Sequence, residues 1–184
     1  MNLTNSTKHY GWISIAMHWV VAVTVLGMFA LGLWMVDLSY YSTWYHDAPF
    51  IHKSVGVLLV GLMLFRWLWN LLNAEPELIG VKNHWVGLMA RAMHGVLYLL
   101  VFLLGLSGYL ISTAEDHAIS VFGWFEVPSA FEPFSGQGDL AGEVHEWLAF
   151  ALIGLVVLHA AAALKHHFID RDNTLKRMLK AESD

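Results

Sequence analysis

Residues 144–164 read VHEWLAFALIGLVVLHAAAAL, an apolar run of 21 residues that carries a histidine near each end. A helix of about 20 residues crosses the roughly 30 Å hydrocarbon core of a bilayer, so this run predicts a transmembrane helix. His145 and His159 are 14 residues apart, which in a helix is about 21 Å along the axis and about 40° short of four turns. Both side chains therefore face the same way at two depths. Ionisable side chains are costly inside a membrane and usually mark a pathway or a ligand site, so this pair predicts two stacked binding centres.

Three more apolar runs precede this one and explain why 57% of the 184-residue chain is hydrophobic. That fraction is far above the value for a soluble protein of this length. Short connections join the first span to the second and the second to the third, so neighbouring helices are expected to pack antiparallel. The sequence therefore predicts an all-α fold, an integral membrane four-helix up-down bundle in a single domain over residues 1–184. The predicted spans are 12–36, 51–72, 85–111 and 144–164, and a long outer loop covers 112–143.

The outer loop combines an apolar patch at 119–125 with Pro128, Pro133 and a Gly-Gln-Gly turn at 136–138. Trp and Phe side chains prefer the layer between lipid and water. We expect the loop to lie on the outer surface, and the favoured interpretation is an aromatic anchor that meets no partner. The alternative is a cap that includes a short interfacial helix.

Charged residues are distributed unequally between the two sides of the predicted membrane. The side with the N-terminus, the second loop and the C-terminal tail has nine basic and six acidic residues, whereas the other side has Lys53 alone against nine acidic residues. Because cytoplasmic loops carry an excess of Lys and Arg, both termini are expected to be cytoplasmic. The outer face then has a formal charge of −8. The basic residues lie at membrane boundaries, as topology requires, so nucleic acid is not an expected partner.

Four histidines fall at two matching depths in the predicted spans. His18 and His159 lie about 9 Å and about 8 Å from the inner ends of the first and fourth spans. His52 and His145 each lie one residue inside the outer ends of the second and fourth spans. A haem iron takes one axial imidazole from each side, so its two histidines must be level. The depths therefore predict two haems, one held by each level pair, whereas a multi-histidine zinc or copper site would need its ligands at one depth.

The absence of cysteine from the sequence limits the type of haem. It excludes thiolate-held iron–sulfur clusters and covalent c-type haem, which attaches through C-x-x-C-H. The predicted cofactors are therefore two non-covalent b-type haems. An iron with two imidazole ligands has no vacant position, so electron transfer is expected rather than oxygen chemistry at the metal.

Three further side chains near the inner boundary are candidates for a haem site. Two interpretations of His94 are open. It either supports the inner haem, for example through a hydrogen bond to a propionate, or it is a buried histidine that binds no ligand. Arg66 and Arg91 have alternatives of the same kind. A guanidinium suits a carboxylate, so either arginine is a candidate partner for a propionate. Both could instead extend their charged ends to the membrane surface.

Six segments carry a recognisable pattern: MHW at 17–19, IHKSVG at 51–56, MHGVLYLL at 93–100, HEW at 145–147, HAAAALKHHF at 159–168 and DNTLKRM at 172–178. They resemble the bacterial cytochrome b561 family of small four-helix dihaem membrane proteins, and the resemblance covers nearly the whole chain. It implies b-type haems on the two histidine pairs given above and a multi-pass location in the bacterial inner membrane. It also implies ubiquinone exchange near the inner surface, where His166 matches a family quinone-site histidine and Lys165 adjoins it. The alternative interpretation is that His166 and His167 are boundary histidines near lipid headgroups.

These features predict an electron-transfer protein that exchanges electrons between the quinone pool and a periplasmic partner with a basic surface. Two alternatives stay open. Some relatives are superoxide oxidases, which pass electrons from superoxide to ubiquinone, but an outer charge of −8 repels a small anion and lowers its association rate. The other alternative is a cytochrome b anchor subunit of a larger oxidoreductase, for which the acidic face and the aromatic cap would form a docking surface.

Overall fold

Four long helices dominate the computed structural model, which describes residues 2–79 and 83–181. The predicted all-α fold class, a membrane four-helix bundle, is confirmed. Lys82, Glu182 and Asp184, which were counted in the charge of the inner side, lie outside the described residues. The helices are α1 (Trp12–Val36), α2 (Asp47–Leu72), α3 (His84–Ser112), α4 (Gln137–Phe168) and the short α5 (Thr174–Arg177), with strands β1 (Ile119–Val121) and β2 (Phe125–Val127) between α3 and α4.

The four long helices have the exposure pattern of membrane helices. Each is long and apolar enough to cross a bilayer, and only 6% to 11% of the residues in its most apolar stretch are buried by the rest of the chain. In water, so large an apolar surface would have to be covered. Lipid is therefore the solvent that this surface requires.

Helix α4 begins seven residues before the predicted span, at Gln137. The preceding Gly136 has φ +78°, a conformation that glycine adopts without strain. The Gln137 side chain is 1% exposed and donates a hydrogen bond from Nε2 to the carbonyl of Leu110, at 2.9 Å. The start of α4 is thereby tied to the end of α3. At 32 residues, α4 is about 48 Å long, so it extends beyond the hydrocarbon core.

The outer loop forms a β-hairpin, so the alternative that included a short interfacial helix is wrong. Ile119 pairs with Val127 and Val121 pairs with Phe125 in an antiparallel register. Ile119 and Val121 alternate with Ser120 and are almost fully buried, which is the two-residue period of a strand. The hairpin is held to α2 by the buried Ser54, whose hydroxyl accepts a hydrogen bond from the Phe122 amide at 3.1 Å and donates to the Ser120 carbonyl at 3.4 Å.

The chain divides into two compact units, and every long helix contributes to both. We call Met1–Ala22, Leu62–Tyr98 and Gly154–Asp184 the terminal unit, because it contains both ends of the chain, and Val23–Gly61 with Leu99–Ile153 the hairpin unit. Each predicted histidine pair falls within one unit. His18 and His159 are in the terminal unit, and His52 and His145 are in the hairpin unit.

Arg177 joins three parts of the terminal unit. Its side chain is buried and donates hydrogen bonds to the carbonyls of Glu77, at 2.7 Å, and of Lys8. Its guanidinium also lies 5.6 Å from the centre of the Tyr10 ring. These contacts fix the C-terminal tail against the N-terminal segment and the loop between α2 and α3.

Candidate functional site

His52 of α2 and His145 of α4 face each other in the hairpin unit. Their ring centroids are 6.2 Å apart and their planes are inclined by 68°. A bond from an imidazole nitrogen to a metal is about 2 Å long, so two rings that share one metal ion have centroids about 6 Å apart. The spacing of the two rings therefore fits one metal ion coordinated from both sides.

Glycines on α1 and α3 lie beside the same two rings. A Cβ atom at Gly32 would be 3.4 Å from Cε1 of His52, and a Cβ atom at Gly108 would be 3.4 Å from Cε1 of His145. A methyl group at either position would thus be in van der Waals contact with an imidazole. The backbones of α1 and α3 therefore lie directly beside the two rings.

The polar surroundings of these two rings differ. The Oγ atom of Ser107, a residue that is 4% exposed, lies 2.9 Å from Nδ1 of His145. Nδ1 of His52 is buried and has no hydrogen-bond partner in the described part of the chain. His145 therefore has a side-chain partner for Nδ1 that His52 lacks among the described residues. Two facing imidazoles at this spacing are a donor set that fits a haem held from both sides.

A second facing pair lies in the terminal unit, where the rings of His18 on α1 and His159 on α4 have centroids 6.3 Å apart at an angle of 60°. This spacing also fits one shared metal ion. The ring of His94 on α3 lies 5.3 Å from that of His159. Residues 2–79 and 83–181 contain no set of three His, Asp or Glu side chains grouped to hold one metal ion. The three histidines therefore do not form a cluster of the zinc type.

Of the two predicted arginines, the structure brings Arg66 to the histidines. Its Nη2 atom lies 3.4 Å from Nδ1 of His18, and its guanidinium lies 5.5 Å from the centre of the Tyr98 ring. Arg91 instead forms an ion pair with Glu75, at 3.8 Å from Nε to Oε1, and both of these side chains are well exposed. Arg66 is thus the arginine that can act on a group bound between His18 and His159.

A third cluster lies at the C-terminal end of α4, around His166. Nδ1 of His166 is 2.9 Å from Oδ2 of Asp170 and 3.3 Å from Oδ2 of Asp172. The Nζ atom of Lys165 donates a hydrogen bond to the same Asp170 oxygen at 2.6 Å. This bond is the largest cause of the lowered pKa of the Asp170 carboxyl, and the positive charge of Lys165 adds to it. The chain turns back here at Arg171, which has φ +57°.

Asp170 and Asp172 are site residues that the sequence reasoning missed. The spacing of His166 and Asp170, four residues apart near a helix end, is the signal that could have found the first of them, because such residues are neighbours on a helix. Asp172 carries no comparable signal. It reaches His166 only because the chain reverses after α4, where the Asp172 amide donates to the His166 carbonyl at 3.1 Å.

The charge of the chain segregates by unit. All nine acidic residues that were assigned to the outer face belong to the hairpin unit, together with Lys53 as its one basic residue, which gives that unit a formal charge of −8. The same unit exposes large aromatic side chains, among them Tyr41 and Trp124 at 93% and 73% exposure. Its polar surface is therefore acidic and aromatic.

Comparisons with known proteins agree over nearly the whole chain. The profile of the family described as prokaryotic cytochrome b561 matches residues 9–181. Cytochrome b561 homolog 2 of Escherichia coli (strain K12) is 53% identical over 185 residues, which cover 100% of this chain and 98% of that protein. The probable superoxide oxidase CybB of Yersinia pestis is 30% identical, covering 94% of this chain and 96% of that protein. Cytochrome b561 homolog 1 of Escherichia coli (strain K12) is also 30% identical, with coverage of 97% and 98%.

Proposed function

Because the chain belongs to the prokaryotic cytochrome b561 family and is a multi-pass electron-transfer protein of the bacterial inner membrane that binds b-type haem, we propose that it is a dihaem carrier. It exchanges electrons between the quinone pool and a partner at an acidic periplasmic face. The observation that carries this proposal is the presence of one facing imidazole pair in each unit, at 6.2 Å and 6.3 Å.

In this proposal His18 and His159 hold one b-type haem, and His52 and His145 hold the other. When bound, each haem supplies a one-electron carrier whose iron has no open position. The protein keeps the two imidazoles of each pair facing each other, and it surrounds them with apolar helices that exclude water. Such surroundings and the hydrogen bonds to the ligands are the means by which a protein sets a haem potential.

Arg66 is proposed to bind a propionate of the haem between His18 and His159. Arginine has no acceptor atom, so its 3.4 Å contact with His18 requires a lone pair on Nδ1 of that ring and the proton on Nε2. If Nε2 of His18 held the haem, the proton of the neutral ring would lie on Nδ1 and would face the guanidinium donor to donor. Arg66 would then turn to an acceptor, and the propionate is a carboxylate of matching shape. His94, which lies beside His159, is proposed as a supporting hydrogen-bond donor to the same haem.

The quinone is proposed to meet His166, with Lys165 as its neighbour. Two carboxylates face Nδ1 of His166, so Nε2 is the nitrogen left for a quinone oxygen. Conversion of a quinol to a quinone releases two electrons and two protons, and the reverse reaction consumes them. His166 with Asp170 offers a route for those protons, because Asp170 is in contact with water.

The proposed orientation places the terminal unit at the cytoplasmic side. It contains nine of the ten basic residues, with Lys82 outside the described residues. The hairpin unit, with its charge of −8, then faces the periplasm, and its proposed redox partner has a basic surface.

Superoxide oxidation is the second candidate function, and the relative named probable superoxide oxidase supports it at 30% identity. The charge of the hairpin unit opposes it, since a small anion is collected best by a positive potential. The decisive first test is a reduced-minus-oxidised spectrum with a pyridine haemochrome assay on the purified protein. We expect two b-type haems per chain, and one haem per chain in well-folded protein would contradict the proposal.

A further inference from the structure

Ser107 of α3 makes two contacts through one hydroxyl group. Its Oγ atom lies 3.1 Å from the carbonyl oxygen of Leu104 and 2.9 Å from Nδ1 of His145. The residue is 4% exposed, so water does not compete for either contact. Both contacts are therefore made between protein groups in a place that water does not reach.

The hydroxyl has one proton, which decides the state of the histidine. The Leu104 carbonyl can only accept a hydrogen bond, so the Ser107 proton is donated to it. The Ser107 oxygen is then left as an acceptor for His145, and Nδ1 of that ring must carry the hydrogen. In a neutral imidazole the lone pair then lies on Nε2, the nitrogen that is free to bind a metal ion.

We propose that Ser107 is a positioning residue for the haem held by His52 and His145, and that it lowers the reduction potential of that haem. This inference rests on the proposed function. A hydrogen bond from the outer nitrogen of a ligating histidine fixes the orientation of the ring and raises its basicity. A more basic ligand favours the ferric over the ferrous state, so the potential falls.

Two of the other three proposed ligands, His52 and His18, lack an equivalent contact. Nδ1 of His52 has no partner among the described residues, and the group that faces Nδ1 of His18 is Arg66, which cannot accept a hydrogen bond. Ser107 thus acts on one haem and not on the other. A change at Ser107 should move one of the two midpoint potentials.

The test is an optical redox titration of the dihaem protein with Ser107→Ala, supported by electron paramagnetic resonance of the ferric haems. The midpoint of the haem that His145→Ala removes should rise by roughly 59 mV, which corresponds to about a tenfold change in a one-electron equilibrium. The other midpoint should stay in place, and Ser107→Thr, which keeps the hydroxyl, should restore the wild-type value. Ser112→Ala is the matched control, because Ser112 donates to the Gly108 carbonyl at 2.9 Å on the same helix and makes no hydrogen bond to a histidine of the described segments.

An unchanged midpoint in Ser107→Ala with both haems retained would overturn this inference and leave the proposed haem ligation intact. Failure of His145→Ala to remove a haem would instead overturn the proposed function. If Ser107→Ala does not accumulate as a dihaem protein, Ser107→Cys is titrated in its place. Its sulfur is a weak acceptor, so the same rise, or its absence, decides the question.

Discussion

The imidazole rings of His52 and His145 face each other at 6.2 Å, and both belong to the hairpin unit. The corresponding pair in the terminal unit shares none of these side chains. If each pair holds one haem, the two haems should be lost separately.

We therefore expect His52→Ala and His145→Ala to remove the same haem, and His18→Ala and His159→Ala to remove the other. Haem content should fall from two per chain to one, because each haem is proposed to depend on both imidazoles of its pair. Pyridine haemochrome assays and difference spectra measure this loss. His46→Ala is the control, since His46 is exposed and precedes α2. Loss of the same haem from His52→Ala and His159→Ala would refute the pairing.

The two arginines predicted from the sequence should behave differently. Arg66→Gln removes a positive charge beside His18, and a nearby positive charge favours the ferrous haem. We expect the midpoint potential of the terminal-unit haem to fall, by an amount on the order of 59 mV for a tenfold change in the equilibrium. Arg91→Gln should leave both potentials unchanged, because Arg91 forms an exposed ion pair with Glu75. Equal effects of the two variants in redox titrations would argue against a special role of Arg66.

The proposed quinone site gives a kinetic prediction. His166→Ala should slow haem reduction by a soluble quinol analogue several-fold without loss of haem, because it removes a hydrogen-bond partner and not a ligand. Asp170→Asn should also slow it, by a smaller factor, because Asp170 orients His166. Stopped-flow absorbance measures these rates, and His167→Ala controls for a general effect at the lipid headgroups. An unchanged rate of haem reduction in His166→Ala would favour the alternative interpretation, in which His166 is a boundary histidine near lipid headgroups.

The lowered pKa of Asp170 gives this site a defined pH range. A carboxyl with a lowered pKa is fully ionised at any pH above its ordinary pKa. A contact that depends on its negative charge is lost only when the pH falls through the lowered pKa. The contacts of Asp170 with Lys165 and His166 should therefore have their carboxylate partner throughout pH 5 to about 8. Carbon-13 NMR of the Asp170 carboxyl, in protein labelled at Asp, should show no titration in this range. A titration centred within it would contradict the role of Asp170.

The charge of the hairpin unit predicts opposite salt effects on two candidate partners. Superoxide should reduce the haems well below the diffusion limit and react faster as salt screens the repulsion over about 8 to 10 Å. A basic redox protein should react more slowly as salt rises. Neutralising Glu115, Asp116, Glu126 and Glu132 together, all of them exposed, should help superoxide and hinder the basic partner. Asn is suitable at Asp116, which has φ +57°.

The matched control neutralises Glu75 and Glu77, two exposed acidic residues of the terminal unit. These changes should leave both reactions unaltered. Stopped-flow reduction by superoxide at about 10⁸ to 10⁹ M⁻¹s⁻¹, falling as salt rises, would reverse the ranking and make superoxide oxidase the leading function.

Much of the architecture could be predicted because it depends on local properties of the chain. Hydrophobic runs of membrane length identify the four long helices. A fixed rise of about 1.5 Å per residue then gives the depth of each histidine without knowledge of its neighbours. That is why His18 could be matched with His159, and His52 with His145, before any contact between them was known.

Contacts around the helices could not be predicted, because a membrane helix that is apolar on every side does not reveal which side meets protein and which meets lipid. The approach of Arg66 to His18, of His94 to His159 and of Ser107 to His145 depends on how each helix is rotated against its neighbours. Likewise, Asp172 reaches His166 through a chain reversal. The hairpin is held by the hydroxyl of Ser54, which lies 66 residues before Ser120 in the sequence. Hydropathy and helical rise are therefore enough to predict the spans and the depths of the histidines. The side chains that touch these histidines become known only in the folded chain, because those contacts join residues that are distant in sequence and are set by packing.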